Sequence, residues 1–75
     1  MKKNSTKLMK NFGMKVKLER TKRGFSQEKL AELSNLSFRT IGTIERAESS
    51  PTIDTVKAIA DALQIPLPEM FNFNF

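Results

Sequence analysis

Seventy-five residues make one small domain with a thin stability margin, since a chain of this size buries only about 60% of its unfolded surface. There is no Cys and no His, which excludes disulfides, thiolate or imidazole zinc sites and imidazole general-base catalysis. The formal charge of +5 is lopsided: residues 1–23 carry nine Lys or Arg against the single acid Glu19, and residues 24–75 carry four against seven acids, which suits either a polyanion partner or a solvated tail.

Met9, Phe12, Val16 and Arg20 share one helical face, with Leu8 beside them and the intervening Lys residues pointing elsewhere. A first helix is therefore expected over about residues 6–23, with a Lys-rich front that frays and a stop at Gly24. Gly13 weakens this helix but falls on its buried side, where a small residue permits close packing. Ser26 offers an N-cap to a second helix with Glu28 in its first turn, and Leu30, Ala31 and Leu33 form its inner face. "SNLS" then makes a corner: Asn35 tolerates the left-handed conformation and Ser37 caps a third helix. Ile41 and Ile44 lie on the inner side of that helix, which ends near Arg46–Ala47. "ESSP" is a loop, and Thr52 caps a fourth helix whose face is Ile53, Val56, Ile59, Ala60 and Leu63. Pro66 and Pro68 fix the entry of a short fifth helix in "IPLPEMF", and the closing "FNFNF" alternates too briefly to establish a strand.

These elements predict an all-α, compact five-helix bundle in a single domain over residues 1–75, with a basic front at 1–7 and a tail at 72–75. No apolar run approaches the roughly 20 residues that span a bilayer. The basic start lacks the continuous apolar stretch of a secretory signal. The expected location is the cytoplasm, with no membrane partner. No nucleophile–base pair, phosphate loop or acidic metal cluster is present, so no enzyme activity, metal or cofactor is expected.

The corner is the informative part. Leu30, Ala31, Leu36, Ile41 and Ile44 must meet in one small core, and Ala31 is small enough to let the third helix cross close by. That leaves an outer helix face free to protrude, and a helix of this width fits the major groove of B-DNA. The stretch "RTKRGFSQEKLAELSNLSFRTIGTIERAESSPTIDTVKAIADALQIP" resembles the phage-repressor-type helix-turn-helix DNA-binding domains. The matching residues are Arg20, Gly24, Ser26-Gln27, Leu30-Ala31, Ile41, Ile44-Glu45-Arg46, Pro51 and "AIADAL", and the resemblance covers about residues 12–71. Two positions depart from the pattern: Asn35 stands where Gly usually makes the turn, and Ala47 stands where Gly often ends the recognition helix.

The resemblance implies a sequence-specific regulator that binds double-stranded DNA, with helix three in the major groove and a homodimer on a palindromic operator. It implies base reading by Phe38, Arg39, Gly42 and Thr43. Arg39 can reach guanine O6 and N7 or a phosphate, and Phe38 can pack on a thymine methyl or cover the neck of the helix pair. It implies phosphate contacts from Ser26, Gln27, Ser37, Arg46, Ser49 and Ser50, with Glu48 pointing away, and an Arg20–Glu45 ion pair that orients helix three. Such a pair is expected to orient the helix more than it stabilises the fold, since exposed pairs contribute only about 0–1 kcal/mol. The apolar C-terminal residues Ile65, Leu67, Met70, Phe71, Phe73 and Phe75 are expected at the dimer interface. Small stand-alone members resemble restriction–modification controllers or autoregulating phage-type repressors. The alternative is an antitoxin-like module that binds another protein and touches DNA secondarily. Lys2, Lys3, Lys7 and Lys10 open the chain either as an arm on the DNA backbone or as a solvated tail.

Overall fold

In the computed structural model, residues 6–73 and 75 are described. Lys2 and Lys3, read above as part of either an arm or a solvated tail, lie outside them, as does Asn74. The α-helices are α1 (Lys7–Lys22), α2 (Gln27–Ser34), α3 (Phe38–Glu45) and α4 (Ile53–Leu63). The expected fifth helix is instead a 3₁₀ helix, Leu67–Phe71. The segment is only five residues long, a length at which the tighter 3₁₀ pattern is common, and Pro66 and Pro68 stand at its start, where a helix needs no backbone donor. No strand occurs among the described residues.

All four α-helices start in the same way. The hydroxyls of Thr6, Ser26, Ser37 and Thr52 accept from the backbone N–H three residues on, at 2.9–3.1 Å. Thr6 caps α1, which begins at Lys7. Asn35 ends α2 at φ 58°, as its αL tolerance requires. Ala47 adopts φ 57° after α3, so the chain follows the glycine-type path without glycine, at a steric cost of about 1–2 kcal/mol.

The core joins every element: Phe12 and Val16 of α1, Leu30 and Ala31 of α2, Ile41 and Ile44 of α3, Val56, Ile59, Ala60 and Leu63 of α4, and Met70 of the 3₁₀ helix. Three sequence expectations are corrected. Leu33 is 44% exposed, because Ser34 takes the inner position of α2 and satisfies its hydroxyl on the Leu30 carbonyl at 2.7 Å. Ile53 is 77% exposed, since the first residue of α4 overhangs the core that Val56 enters one turn later. Met70 is fully buried within its own chain and is therefore removed from the dimer-interface set. The 3₁₀ helix folds back on α1, and Phe71 stacks on Phe12 with ring centroids 5.5 Å apart.

That return also buries charge the sequence had not flagged. Lys15 and Glu19 are both buried on α1. Glu19 is bound by Arg23 (2.8 Å), Lys15 (3.1 Å) and Lys22 (3.6 Å), and Lys15 reaches Glu69 of the 3₁₀ helix at 3.6 Å. The Arg23 hydrogen bond, aided by Lys15 and Lys22 against the opposing effect of burial, lowers the Glu19 carboxyl from 4.5 to about 2. A carboxylate with a depressed folded-state pKa contributes stability that is complete above about 4.5 and is lost as pH falls toward 2. Thermal melting between those limits should therefore fall more steeply for the wild type than for Glu19→Gln. Parallel curves would remove Glu19 from the account of acid stability.

Candidate nucleic-acid interface

The corner between α2 and α3 is held from a third side by α1. Arg20 donates from Nε and Nη2 to the two Glu45 carboxylate oxygens at 2.7 and 3.0 Å, and from Nη1 to the Phe25 carbonyl at 2.8 Å. Gln27, the first residue of α2, donates from Nε2 to Glu45 Oε1 at 2.9 Å. One carboxylate near the end of α3 thus ties down α1 and the start of α2. The pair is not an exposed one: the Arg20 and Glu45 side chains are 11% and 3% exposed. The small weight expected for it is corrected accordingly, because removing one member of a buried pair strands the other charge away from water.

Gly13 sets the distance between α1 and α3. A Cβ there would stand 3.0 Å from the Glu45 carbonyl oxygen and would collide with that of Ile44, so the backbones meet where only a hydrogen fits.

With α3 fixed in this way, its solvent side presents Phe38, 55% exposed, and Arg39, which enters no ion pair among the described residues. Phe38 does not serve as core cover at that exposure. Gly42 is buried beneath the Arg46 guanidinium, which would lie 2.9 Å from an added Cβ. Thr43 is half-buried; its hydroxyl donates to the Thr40 carbonyl at 3.0 Å and accepts from Ser49 at 3.1 Å. Ser37 is exposed and donates to the Thr40 hydroxyl at 2.8 Å. Ser26 and Ser50 are exposed at the start of α2 and in the loop after α3. Arg46 pairs with Glu48 at 3.1 Å on the surface, so Glu48 turns toward Arg46 and offsets its charge instead of simply pointing away.

Sequence reasoning missed the Gln27–Glu45 bond, which links residues 18 apart and has no local periodicity to betray it. It missed Thr40 as the hub between Ser37 and Thr43 for a different reason: a Thr on a half-buried face gives no apolar signal. Among the described residues no cluster of acids could hold a metal ion, and no helix is long and apolar enough to cross a membrane.

Known proteins share both sequence and shape with this arrangement. The chain is 45% identical over 51 residues to the HTH-type transcriptional regulator SutR of Escherichia coli, a match that covers 68% of this chain and 29% of that longer protein. It is 38% identical over 55 residues to the control protein C.SmaI of Serratia marcescens, covering 73% of this chain and 66% of the relative. The crystal structure of the restriction-modification controller protein C.AhdI from Aeromonas hydrophila superimposes with a TM-score of 0.82 at 35% identity, covering 84% of this chain and 96% of that one. The helix-turn-helix family profile matches residues 16–70, from the middle of α1 to the 3₁₀ helix. The chain belongs to this phage-repressor-type helix-turn-helix family, whose members are DNA-binding transcriptional regulators and not enzymes.

Proposed function

We propose that the protein is a sequence-specific transcriptional regulator that binds double-stranded DNA as a homodimer, with α3 in the major groove of each half-site. The observation that carries this reading is an exposed Phe38–Arg39 face on a helix whose other side is locked by the buried Arg20–Glu45–Gln27 clamp. Specific reading needs side chains held on a rigid element, because base edges discriminate only through fixed geometry. Arg39 is the principal reader, and Phe38 supplies an apolar contact to a thymine methyl. Thr43, half-buried, borders that face, whereas Gly42 lies buried beneath the Arg46 guanidinium and is removed from the base-reading set. Ser26, the second amide hydrogen of Gln27, Ser37, Arg46, Ser49 and Ser50 hold the phosphates on either side. Arg46 must exchange Glu48 for phosphate when DNA arrives.

A single helix of this length reads few base pairs, and two-fold pairing doubles the site. The interface we assign to the dimer is Phe71, Ile65, Leu67, Phe73 and Phe75, now without Met70. It continues into an apolar groove lined by Leu8, Phe12, Pro51, Ile53 and Phe71, where Leu8 and Ile53 are largely exposed.

Selection of bound sites from random-sequence duplexes tests the reading as a whole. The recovered sites should be inverted repeats that hold two chains. Arg39→Ala should lose about 1–3 kcal/mol of discrimination at one base pair per half-site, whereas Gln27→Ala should weaken operator and random DNA alike. An Arg39→Ala protein with unchanged sequence preference would overturn the assignment of the reading face.

A further inference from the structure

The charge of the described residues divides in an uneven way. Lys7, Lys10 and Lys17 of α1, together with Arg39, enter no ion pair, whereas every other described Lys and Arg does. The three lysines are exposed and fall at i, i+3 and i+10, within one narrow stripe of the helix, and Met14 lies on the same stripe. No acid lies on it: Glu19, the single acid of α1, is buried among Lys15, Lys22 and Arg23 on the other side. The stripe runs past the end of the recognition helix, where one shallow groove is lined by Lys10, Met14 and Lys17 on one bank and by Glu45, Arg46 and Ala47 on the other.

This placement works against the helix itself. Lys7 and Lys10 sit in the first turns of α1, where the macrodipole is positive and no acid offsets it. Neighbouring like charges on one helix face repel as well. Local rules broken together on one exposed face, with no compensation inside the chain, mark a face built for something outside it.

We propose that Lys7, Lys10 and Lys17 form a second phosphate track, which holds the DNA backbone that flanks the stretch read by α3. This inference rests on the DNA-binding reading. A duplex backbone fits better than an acidic protein because the stripe is straight, about 15 Å long at 1.5 Å per residue, and continuous at Arg46 with the proposed phosphate contacts of the loop after α3. A duplex presents a negative charge every ~1.7 Å along its axis, so a straight row of lysines meets several phosphates at once.

The test compares two triple variants that remove equal charge. Lys7→Gln/Lys10→Gln/Lys17→Gln clears the stripe, and Lys22→Gln/Lys29→Gln/Lys57→Gln clears three exposed lysines elsewhere. Affinity for a duplex carrying the selected operator with flanking sequence is measured across a salt series, and again on a duplex trimmed to the operator. The stripe variant should flatten the slope of log K against log salt by about two to three units, at about 0.9 per phosphate lost, with the operator-to-random ratio unchanged. The control variant should change that slope by less than about one unit. Trimming should weaken the wild type and leave the stripe variant unaffected. Equal flattening by both variants, an unchanged slope, or indifference to trimming each overturns the proposal, and an unchanged slope would turn the stripe toward an acidic protein partner. A wild type that binds no duplex fails the functional reading and this inference together, so the two failures are distinguishable.

Discussion

Glu45→Ala is expected to lower folding stability by about 3–5 kcal/mol, the range for breaking a buried ion pair by removing one partner. A chain of this length holds roughly 4–11 kcal/mol in total, at about 0.05–0.15 kcal/mol per residue, so the variant stands at the edge of unfolding. The loss is large because Arg20 keeps its charge in a space only 11% open to solvent, and because Gln27 loses its acceptor at the same time. Urea unfolding of Glu45→Ala, Arg20→Met and the double variant Arg20→Met/Glu45→Leu separates the components. The double variant should be more stable than either single one, since no charge is left stranded, yet it should bind operator poorly because α3 is no longer tied to α1 and α2. A double variant with wild-type affinity would show that the clamp supports the fold alone.

Gly13→Ala should cost about 2 kcal/mol, against the expectation from helix propensity. In an isolated helix, Ala in place of Gly gains about 1 kcal/mol. Here the added methyl meets the carbonyl oxygens of Ile44 and Glu45, which belong to backbone and have no rotamer by which to move aside. Overpacking of this kind costs about 1–3 kcal/mol, and the upper part of that range offsets the propensity gain and exceeds it. The shift that relieves the collision moves α1 away from α3 and stretches the Arg20–Glu45 pair, so DNA affinity should fall along with the melting temperature. A Gly13→Ala protein as stable as wild type would mean that the two helices do not need their close approach.

Much of the fold was legible because it depends on short-range chemistry. Ser26, Ser37 and Thr52 are caps that announce themselves beside apolar runs, and Asn35 is a residue type suited to the turn it makes. The inner positions Val16, Leu30, Ile41, Ile44, Ile59 and Leu63 follow from helical spacing. Leu33 and Ile53 were misplaced because spacing identifies a stripe and not its edges: an apolar residue at the margin of the stripe, or in the first turn, sits beyond the neighbouring helix. The burial of Lys15 and Glu19 was invisible because it depends on Glu69 arriving from the far end of the chain. Periodicity counts a lysine as outward, whereas its aliphatic stem lies readily along an apolar surface. Within the candidate interface, the residue types were legible, but the Gln27–Glu45 bond depends on helices already in contact, and the local Thr40–Thr43 and Thr43–Ser49 bonds leave no apolar periodicity to read.

The hydroxyl caps carry a consequence for how this protein can change. At the start of α2, Ser26 accepts from the Lys29 N–H at 2.9 Å, and its own hydrogen has no acceptor among the described residues. At the start of α3, Ser37 directs its hydrogen to Thr40. On the proposed reading, one oxygen of Ser26 both closes a helix and offers a donor to phosphate, so the position is pleiotropic. Aspartate would close the helix as well and repel the backbone it faces, and alanine would forfeit both roles, with about 1 kcal/mol lost from the cap alone. The two roles therefore separate in one direction only among these replacements: aspartate gives up the phosphate donor and keeps the helix closed, whereas alanine surrenders the cap and the donor together.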